Sequence, residues 1–298
     1  RMFLVDTREG RIVEDEEIKT RLSTAQPWRQ WLDSNQVRLD TLEALPAAAE
    51  LSESRAVVPA SSNGTPAVGG GIDSWLAAGV AGEPSSLLEL QRVHGYTLED
   101  LRIILASMAT DGAEPIGSMG NDTPLAILSD RPQLLANYFK QLFAQVTNPP
   151  LDGIREEIIT SLVTTIGCEG NLLDSKPEQC RLLRLETPVL TNAECARIKV
   201  LNQPGLVART ISLLFPAAQG VLGMRARLDA MRAEASQAVR EGATILVLSD
   251  RGVSRELATV PALLATAGVH HHLVREGSRT RCGLVVESGE AREVHHFA

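Results

Sequence analysis

The run Ala243-Thr244-Ile245-Leu246-Val247-Leu248-Ser249 is almost wholly apolar, and its reading decides the fold class. A strand with one face in water alternates apolar and polar residues. A strand without that alternation is covered on both faces, which is the situation inside a parallel sheet. Upstream, Gly220 to Arg240 carries Leu222, Met224, Leu228, Met231 and Ala235 at helical spacing, so an amphipathic helix is expected with these residues inward. Gly242 ends that helix. Ile211-Ser212-Leu213-Leu214-Phe215 reads as a strand before it. A helix around Pro261-Ala262-Leu263-Leu264 and a strand at Cys282-Gly283-Leu284-Val285-Val286-Glu287 follow. Such alternation indicates an α/β architecture, with a mixed or mostly parallel sheet flanked by helices.

The 298 residues suggest about two domains at ~150 residues each, or one large α/β domain with additions. Hydrophobic residues make up 44%, enough for a buried core, which rules out wholesale disorder. Aromatics are only 3%, too few for a base-stacking platform or a carbohydrate cleft. The net charge of −8, without any Lys/Arg-dense stretch, argues against nucleic acid as a partner. No apolar run reaches ~18 residues, so no membrane span is expected. No signal peptide pattern is present, and a cytoplasmic location, or the stroma of a plastid, is the expectation. Both ends read as if cut from something longer.

Residues 2–14 alternate around Gly10 and predict a β-hairpin. Glu14-Asp15-Glu16-Glu17 places acids at a helix start, where the dipole favours them. Trp28 and Trp31, three apart, share one face of a helical turn. From Ala44 to Ser86 the chain is rich in Ala, Ser, Gly and Pro, and reads as a flexible linker or insertion. Gly69-Gly70-Gly71 lies there without the G-K-[ST] that a phosphate loop needs. Thr97, with Glu99 and Asp100, approximates a capping box ahead of a buried stripe of Leu98, Leu101, Ile104, Leu105 and Met108, and that helix ends near Asp111-Gly112. Leu125 to Leu128 reads as a short buried strand, and Pro132 opens a helix through Val146. Thr147-Asn148-Pro149-Pro150 stops it. Helices are also expected at Ile154–Leu162 and after the Thr191-x-x-Glu194 capping box.

Chemistry-bearing patterns are sparse. Cys168, Cys180, Cys195 and Cys282 form neither C-x-x-C nor zinc-finger spacing, and read as four reduced, mostly buried thiols. His270-His271-His272 and His295-His296 cannot place adjacent rings on one metal, although His270 and His272 would share a face if the run were a strand. There is no G-x-S-x-G elbow and no G-x-G-x-x-G after a strand. One echo exists: Leu128-Ser129-Asp130-Arg131 recurs as Leu248-Ser249-Asp250-Arg251, each expected at the carboxyl end of a strand, where open α/β sheets place ligands. Two irregular stretches also stand out, Gly117-Ser118-Met119-Gly120-Asn121-Asp122 and Thr147-Asn148-Pro149-Pro150. They are either tight turns between packed elements or a rigid lining for a small polar molecule.

Several longer motifs carry a family resemblance. They are Gly95-Tyr96-Thr97-Leu98-Glu99-Asp100-Leu101, then Gly112-x-Glu114-Pro115-Ile116-Gly117-Ser118-Met119-Gly120-Asn121-Asp122-Thr123-Pro124-Leu125-Ala126, and Leu142-Phe143-Ala144-Gln145-Val146-Thr147-Asn148-Pro149-Pro150-Leu151-Asp152. Gly170-Asn171-Leu172-Leu173 and Ile245-Leu246-Val247-Leu248-Ser249-Asp250-Arg251 join them. The whole resembles the central domain of glutamate synthase. Met2-Phe3-Leu4-Val5-Asp6-Thr7 with Gly10-Arg11-Ile12 resembles the end of that family's glutamine amidotransferase domain.

The resemblance implies residues 1–43 as the end of the amidotransferase domain, 44–86 as linker, and 87–298 as central domain. It implies a parent oxidoreductase of ammonia assimilation. Glutamine is hydrolysed at an N-terminal cysteine, and ammonia crosses an internal tunnel to an FMN barrel, where 2-oxoglutarate becomes glutamate. Met119, Gly120, Asn121, Thr147 and Asn148 are then the candidate tunnel-lining residues. FMN and an iron–sulfur cluster are expected in the parent and neither in this stretch, which is also expected to hold no catalytic residue, since the family's nucleophilic N-terminal cysteine is missing from it and the stretch starts at Arg1. Implied partners are the flanking amidotransferase and FMN domains, with ferredoxin, towards which the general likeness leans, or an NADPH-dependent small subunit. Two other readings remain open: a standalone binding or scaffolding α/β domain with its ligand at Asp130/Arg131 or Asp250/Arg251, and a freestanding glutaminase.

Overall fold

The computed structural model describes residues 2–42, 86–112, 124–140 and 151–297, the side chain of Ile158 excepted. Strands β1 (Leu4–Asp6) and β2 (Arg11–Val13) form the expected hairpin, with Leu4 opposite Val13 and Asp6 opposite Arg11. Asp6 accepts from the Arg8 and Glu9 amides at the turn, and Gly10 takes the left-handed φ of 65° that closes it. Helix α1 (Asp15–Thr24) has its acids in the first turn, and in α2 (Trp28–Asn35) the two indoles meet edge-on at 5.1 Å. β3 (Val37–Arg38) follows, then, beyond residue 85, α3 (Leu87–Val93) with a complete Ser86/Glu89 capping box.

The Thr97/Asp100 box is present: Asp100 accepts from the Thr97 amide, and Thr97 from the Asp100 amide. It opens a π-helical segment (Asp100–Leu105) running into α4 (Ala106–Asp111), and Gly112 turns left-handed at φ 57°. The wider π-turn breaks the 3.6-residue register. Only Ile104 of the expected stripe is fully buried, while Leu98 and Met108 face outward.

Two expectations after this point fail. Leu125–Leu128 is no strand. Ala126–Leu128 forms a 3₁₀ turn, with Ile127 and Leu128 exposed. The run is confined between Pro124 and Pro132, and the Leu128 and Ser129 amides are satisfied locally by Leu125 and Ala126. Apolarity alone does not separate a strand from a helical turn over four residues. The helix expected from Pro132 to Val146 is, among the described residues, only a 3₁₀ segment (Leu135–Phe139), with Lys140 extended. Asn137, Tyr138 and Phe139 are middling helix formers, too weak to hold a helix unaided.

Helix α5 (Gly153–Ile159) is capped by the Asp152 carboxylate and ends three residues sooner than expected. β4 (Thr164–Gly167) and β5 (Leu182–Leu185) are antiparallel, and β3 adds parallel to β5, giving a small sheet of order β3-β5-β4. Helix α6 (Asn192–Lys199) has both hydrogen bonds of the Thr191/Glu194 box. Next come β6 (Asn202–Gln203), β7 (Leu206–Ser212), β8 (Leu214–Pro216), α7 (Gly220–Arg240), β9 (Ile245–Ser249), β10 (Leu257–Thr259), α8 (Ala262–Arg275), β11 (Gly283–Glu287) and the short α9 (Val294–Phe297). The strand expected over Ile211–Phe215 is split at Leu213, beyond which β8 leaves the main sheet to pair with β10.

The main sheet has the order β11-β9-β7-β6, with β7, β9 and β11 mutually parallel. Both crossovers step in one direction, so α7 and α8 lie on one face. Every residue of β9 is buried, as the absence of alternation requires. Leu246 and Leu248 pack with Met231, Ala235, Val269 and Leu273 of α7 and α8. Ile245 and Val247 pack on the opposite face with Leu183, Leu185 and Ile198 of β5 and α6. The result is three layers: helices, parallel sheet, then α6 with the small sheet. Leu222, expected inward, is exposed because it lies two residues, ~200° of helical turn, from Met224 on the packed side. Among the described residues no helix is long and apolar enough to cross a membrane.

Candidate functional site

Parallel strands end together, and in open α/β sheets the carboxyl ends are where ligands sit. Here that edge presents Ser249, which ends β9, with Asp250 after it, and Glu287, which ends β11, with Ser288 after it. Asp250 is only 6% exposed. It accepts from the Ser288 hydroxyl at 2.6 Å, and the Nδ1 of buried His94 stands 3.7 Å from the same carboxylate. Burial raises the Asp250 pKa, outweighing the Ser288 hydrogen bond and the neighbouring imidazole. Glu287 takes the opposite course. Burial pushes its carboxyl up, but Lys199 at 2.8 Å, the Ser249 hydroxyl and the Arg251 guanidinium outweigh burial and hold it low. Arg251 also reaches Asn192 Oδ1 at 3.0 Å, which ties the strand end to α6.

Two segments of the chain dock over this edge. Residues 94–100 and 289–292 interlock: the Tyr96 hydroxyl donates to the Gly289 carbonyl at 2.8 Å, and Arg292 donates to the carbonyls of His94 and Gly95. Arg292 also pairs with Asp100 at 3.0 Å and lies 4.2 Å above the Tyr96 ring. A Cβ at Gly289 would come within 2.7 Å of the His94 ring, so only glycine allows this approach. The Arg255–Glu89 ion pair adds α3 to the same side. Glu290 accepts from the Ala262 amide at the start of α8, and burial raises its pKa.

Beyond Arg292 the chain turns towards residues 135–140. Glu293 pairs with Lys140 at 3.2 Å, and a His295 ring nitrogen meets the Ala136 carbonyl at 2.9 Å. His296 accepts from the Arg292 amide and stands 3.3 Å from Glu293. The His296 hydrogen bond, joined by Lys140, lowers the Glu293 pKa to about 2 against the contrary effect of burial.

The residues singled out from sequence fall unevenly on this arrangement. Met119, Gly120, Asn121, Thr147 and Asn148 lie outside the described residues, as does Gly69-Gly70-Gly71. Asp250 and Arg251 are at a strand end as expected. Asp130 and Arg131 are not: they sit in an exposed turn after the Ala126–Leu128 3₁₀ segment and do not join Asp250. The echo is therefore a likeness of sequence without likeness of place. His270, His271 and His272 lie on α8. His270 accepts from Arg279, and His272 meets the Ser236 hydroxyl. Among the described residues no three His, Cys, Asp or Glu side chains come together as a metal site. Cys195 and Cys282 are buried, Cys168 and Cys180 half-buried, and none is in a disulfide. Sequence reasoning missed His94 and Arg292. Neither has a motif of its own, although Tyr96 and Asp100 fall inside one.

An open cavity of about 510 Å³ lies at the other end of the sheet, beside Thr244 before β9 and lined by Asn171, Gly242, Thr280 and Arg281. Among the described residues none from the carboxyl edge lines it.

The class defined by fold and site is an α/β domain that closes the carboxyl edge of its parallel sheet with its own chain. Residues 89–298 match the model of the glutamate synthase central domain. The chain belongs to the glutamate synthase family. It is 40% identical to the NADPH-type glutamate synthase large chain of Bacillus subtilis (strain 168), covering 100% of this chain and 17% of the relative. It is 43% identical to the NADH-type glutamate synthase of Schizosaccharomyces pombe, over 100% of this chain and 13% of the relative. Against the chloroplastic ferredoxin-dependent enzyme of Spinacia oleracea the identity is 35%, over 100% and 16%. The chain thus spans less than a fifth of these relatives, which differ among themselves in electron donor.

Proposed function

We propose that the chain is the central connecting domain of a glutamate synthase, a polypeptide that makes glutamate from glutamine and 2-oxoglutarate. In this reading residues 1–43 end the amidotransferase domain, 44–86 connect, and 87–298 form the central domain. Met119, Gly120, Asn121, Thr147 and Asn148 help line the path of ammonia between the glutaminase and FMN sites. Their assignment rests on the resemblance of the motifs that contain them. FMN and the iron–sulfur cluster belong to other parts of the polypeptide, and no step of this domain runs through either. Its contribution is to hold apart and align two sites while keeping ammonia from bulk water.

The observation that supports this best is the use of the sheet's carboxyl edge. Asp250, Glu287 and Arg251 spend their polar atoms on Ser288, Ser249, Lys199 and Asn192, and the edge is covered by the chain's own 94–100 and 288–296 segments. A ligand at Asp250 would have to displace these contacts, which speaks for a connecting role over the standalone binding reading at that strand end.

The test uses the full polypeptide supplied with glutamine labelled in its amide nitrogen. Asn121→Ala and Thr147→Ala are expected to release labelled ammonia to the medium in excess of the wild type while glutamine is still hydrolysed. Unchanged retention in both variants would overturn the assignment.

A further inference from the structure

With the carboxyl edge covered by residues 94–100 and 288–296, the open end of the parallel sheet is its amino edge. The turns leading from α7 into β9 and from α8 into β11 meet there with the loop that follows β4, and together they line the cavity of about 510 Å³. That volume falls within the span of small-molecule sites, ~300–1,000 Å³. The walls are tied to one another. The Thr280 carbonyl accepts from the Glu169 amide at 2.8 Å and the Gly170 amide at 3.1 Å, and the Thr244 carbonyl accepts from the Gly283 amide at 2.9 Å.

The polar side chains of this lining are left with donors to offer. Asn171 uses its Oδ1 on the Leu173 amide and its carbonyl on the Gln179 side chain, so its NH₂ remains to donate. The Thr244 hydroxyl accepts from the Val207 amide at 3.0 Å, so its hydrogen remains to donate. Arg281 adds a guanidinium that makes no ion pair among the described residues. Among the described residues no Asp or Glu lines the cavity. Glu241 and Glu276 adjoin lining residues in sequence, but Glu241 accepts from Gln237 and Glu276 from Ser236. The lining is therefore positive in a chain whose total charge is −8. Val239 and Ala243, both buried, supply a short apolar wall. A guanidinium takes carboxylate and phosphate alike through paired N–H groups. The apolar wall decides between them, because it favours a carbon skeleton that inorganic phosphate lacks.

We infer that this cavity binds a small organic carboxylate, with Arg281 and Asn171 donating to the carboxylate and Val239 and Ala243 against its carbon skeleton. Thr244 offers its hydroxyl to a further oxygen of the ligand. The site needs nothing from the ammonia path, so it stands or falls separately from the connecting role. It makes the domain a receptor for a small acid as well as a connector.

The test uses the full polypeptide, with Cys168, which lines the cavity, as a local reporter. The probes are acetate, succinate and glutarate, with inorganic phosphate as the contrasting anion. At ~10 times its half-protecting concentration, at least one carboxylate is expected to slow iodoacetamide alkylation of Cys168 roughly tenfold, by mass action. Cys180, which does not line the cavity, should react at an unchanged rate. Rates with and without the probe are compared within each variant. Arg281→Ala is expected to raise the half-protecting concentration roughly ten- to a hundredfold, the loss of hydrogen bonds to a charged partner. Asn171→Asp keeps the size and the Oδ1 acceptor but adds a negative charge, and should abolish protection. Both side chains are exposed, so neither change opens a gap in the core. Protection that survives both changes overturns the site, as does the absence of protection by all three carboxylates. Equal protection by inorganic phosphate overturns the carboxylate as its ligand.

Discussion

The guanidinium of Arg292 lies 4.2 Å above the ring of Tyr96, and the hydroxyl of that tyrosine donates to Gly289, three residues before the arginine. The two residues thus form a closed pair, each holding the segment that carries the other. Tyr96→Phe keeps the ring under the cation and removes only the hydroxyl. A cost of about 1 kcal/mol is expected. Arg292→Ala strips the donors from His94, Gly95 and Asp100 together, at about 3–5 kcal/mol. Urea unfolding of the two variants should rank them in that order.

Gly289 permits the close approach of His94. Gly289→Ala puts a methyl group 2.7 Å from the imidazole, and the backbone must shift to accept it. A loss of about 1–3 kcal/mol is expected, as for overpacked cores. His94→Ala in the same chain should return part of that loss, and thermal melts of the single and double variants will show whether it does.

Acid sensitivity should centre on Glu293. Its pKa in the folded chain is about 2 against an ordinary 4.5, so its stabilisation is fully present above pH 4.5 and is lost as pH falls towards 2. Glu293→Gln is expected to lower stability at neutral pH and to flatten the decline through that window. Denaturant midpoints at about pH 6 and about pH 3 would reveal it. Asp250, raised by burial, has the opposite sign: its ionised form costs stability as pH rises, so it does not imitate the Glu293 effect.

The four thiols should separate by accessibility. Burial pushes the Cys282 pKa up to about 11, and Cys195 is also buried. Cys168 and Cys180 are half-buried and are expected to be alkylated first by iodoacetamide in the native chain. Mass spectrometry of peptides after brief labelling would check the order.

How much was legible in the sequence varies with the range over which each signal acts. Ile245–Ser249 declared its double burial by the absence of alternation, and Thr191/Glu194 declared a helix start, because both patterns are complete within a few residues. Leu125–Leu128 misled because four apolar residues suit a strand and a 3₁₀ turn equally, and only a missing partner strand separates them. Leu222 misled because being apolar within a helical run is not the same as facing its packed side. The clamp of Arg292 on residues 94–100 was invisible for another reason. Arg292 finds carbonyl acceptors nearly two hundred positions away, and a carbonyl is the same at every residue. The motif around Tyr96 marked one half of that clamp, while nothing marked the other.

That separation along the chain has a consequence for biosynthesis. Residues 94–100 emerge from the ribosome long before Gly289 and Arg292 exist, so they have no seat until β11 is complete. At roughly 5–20 residues per second the wait is on the order of ten seconds or more. During that interval residues 135–140 likewise lack Glu293 and His295, which hold Lys140 and the Ala136 carbonyl in the finished chain. Synthesis halted before Ser288 would leave a formed sheet and an unsecured amino-terminal half, the species a chaperone would be expected to retain.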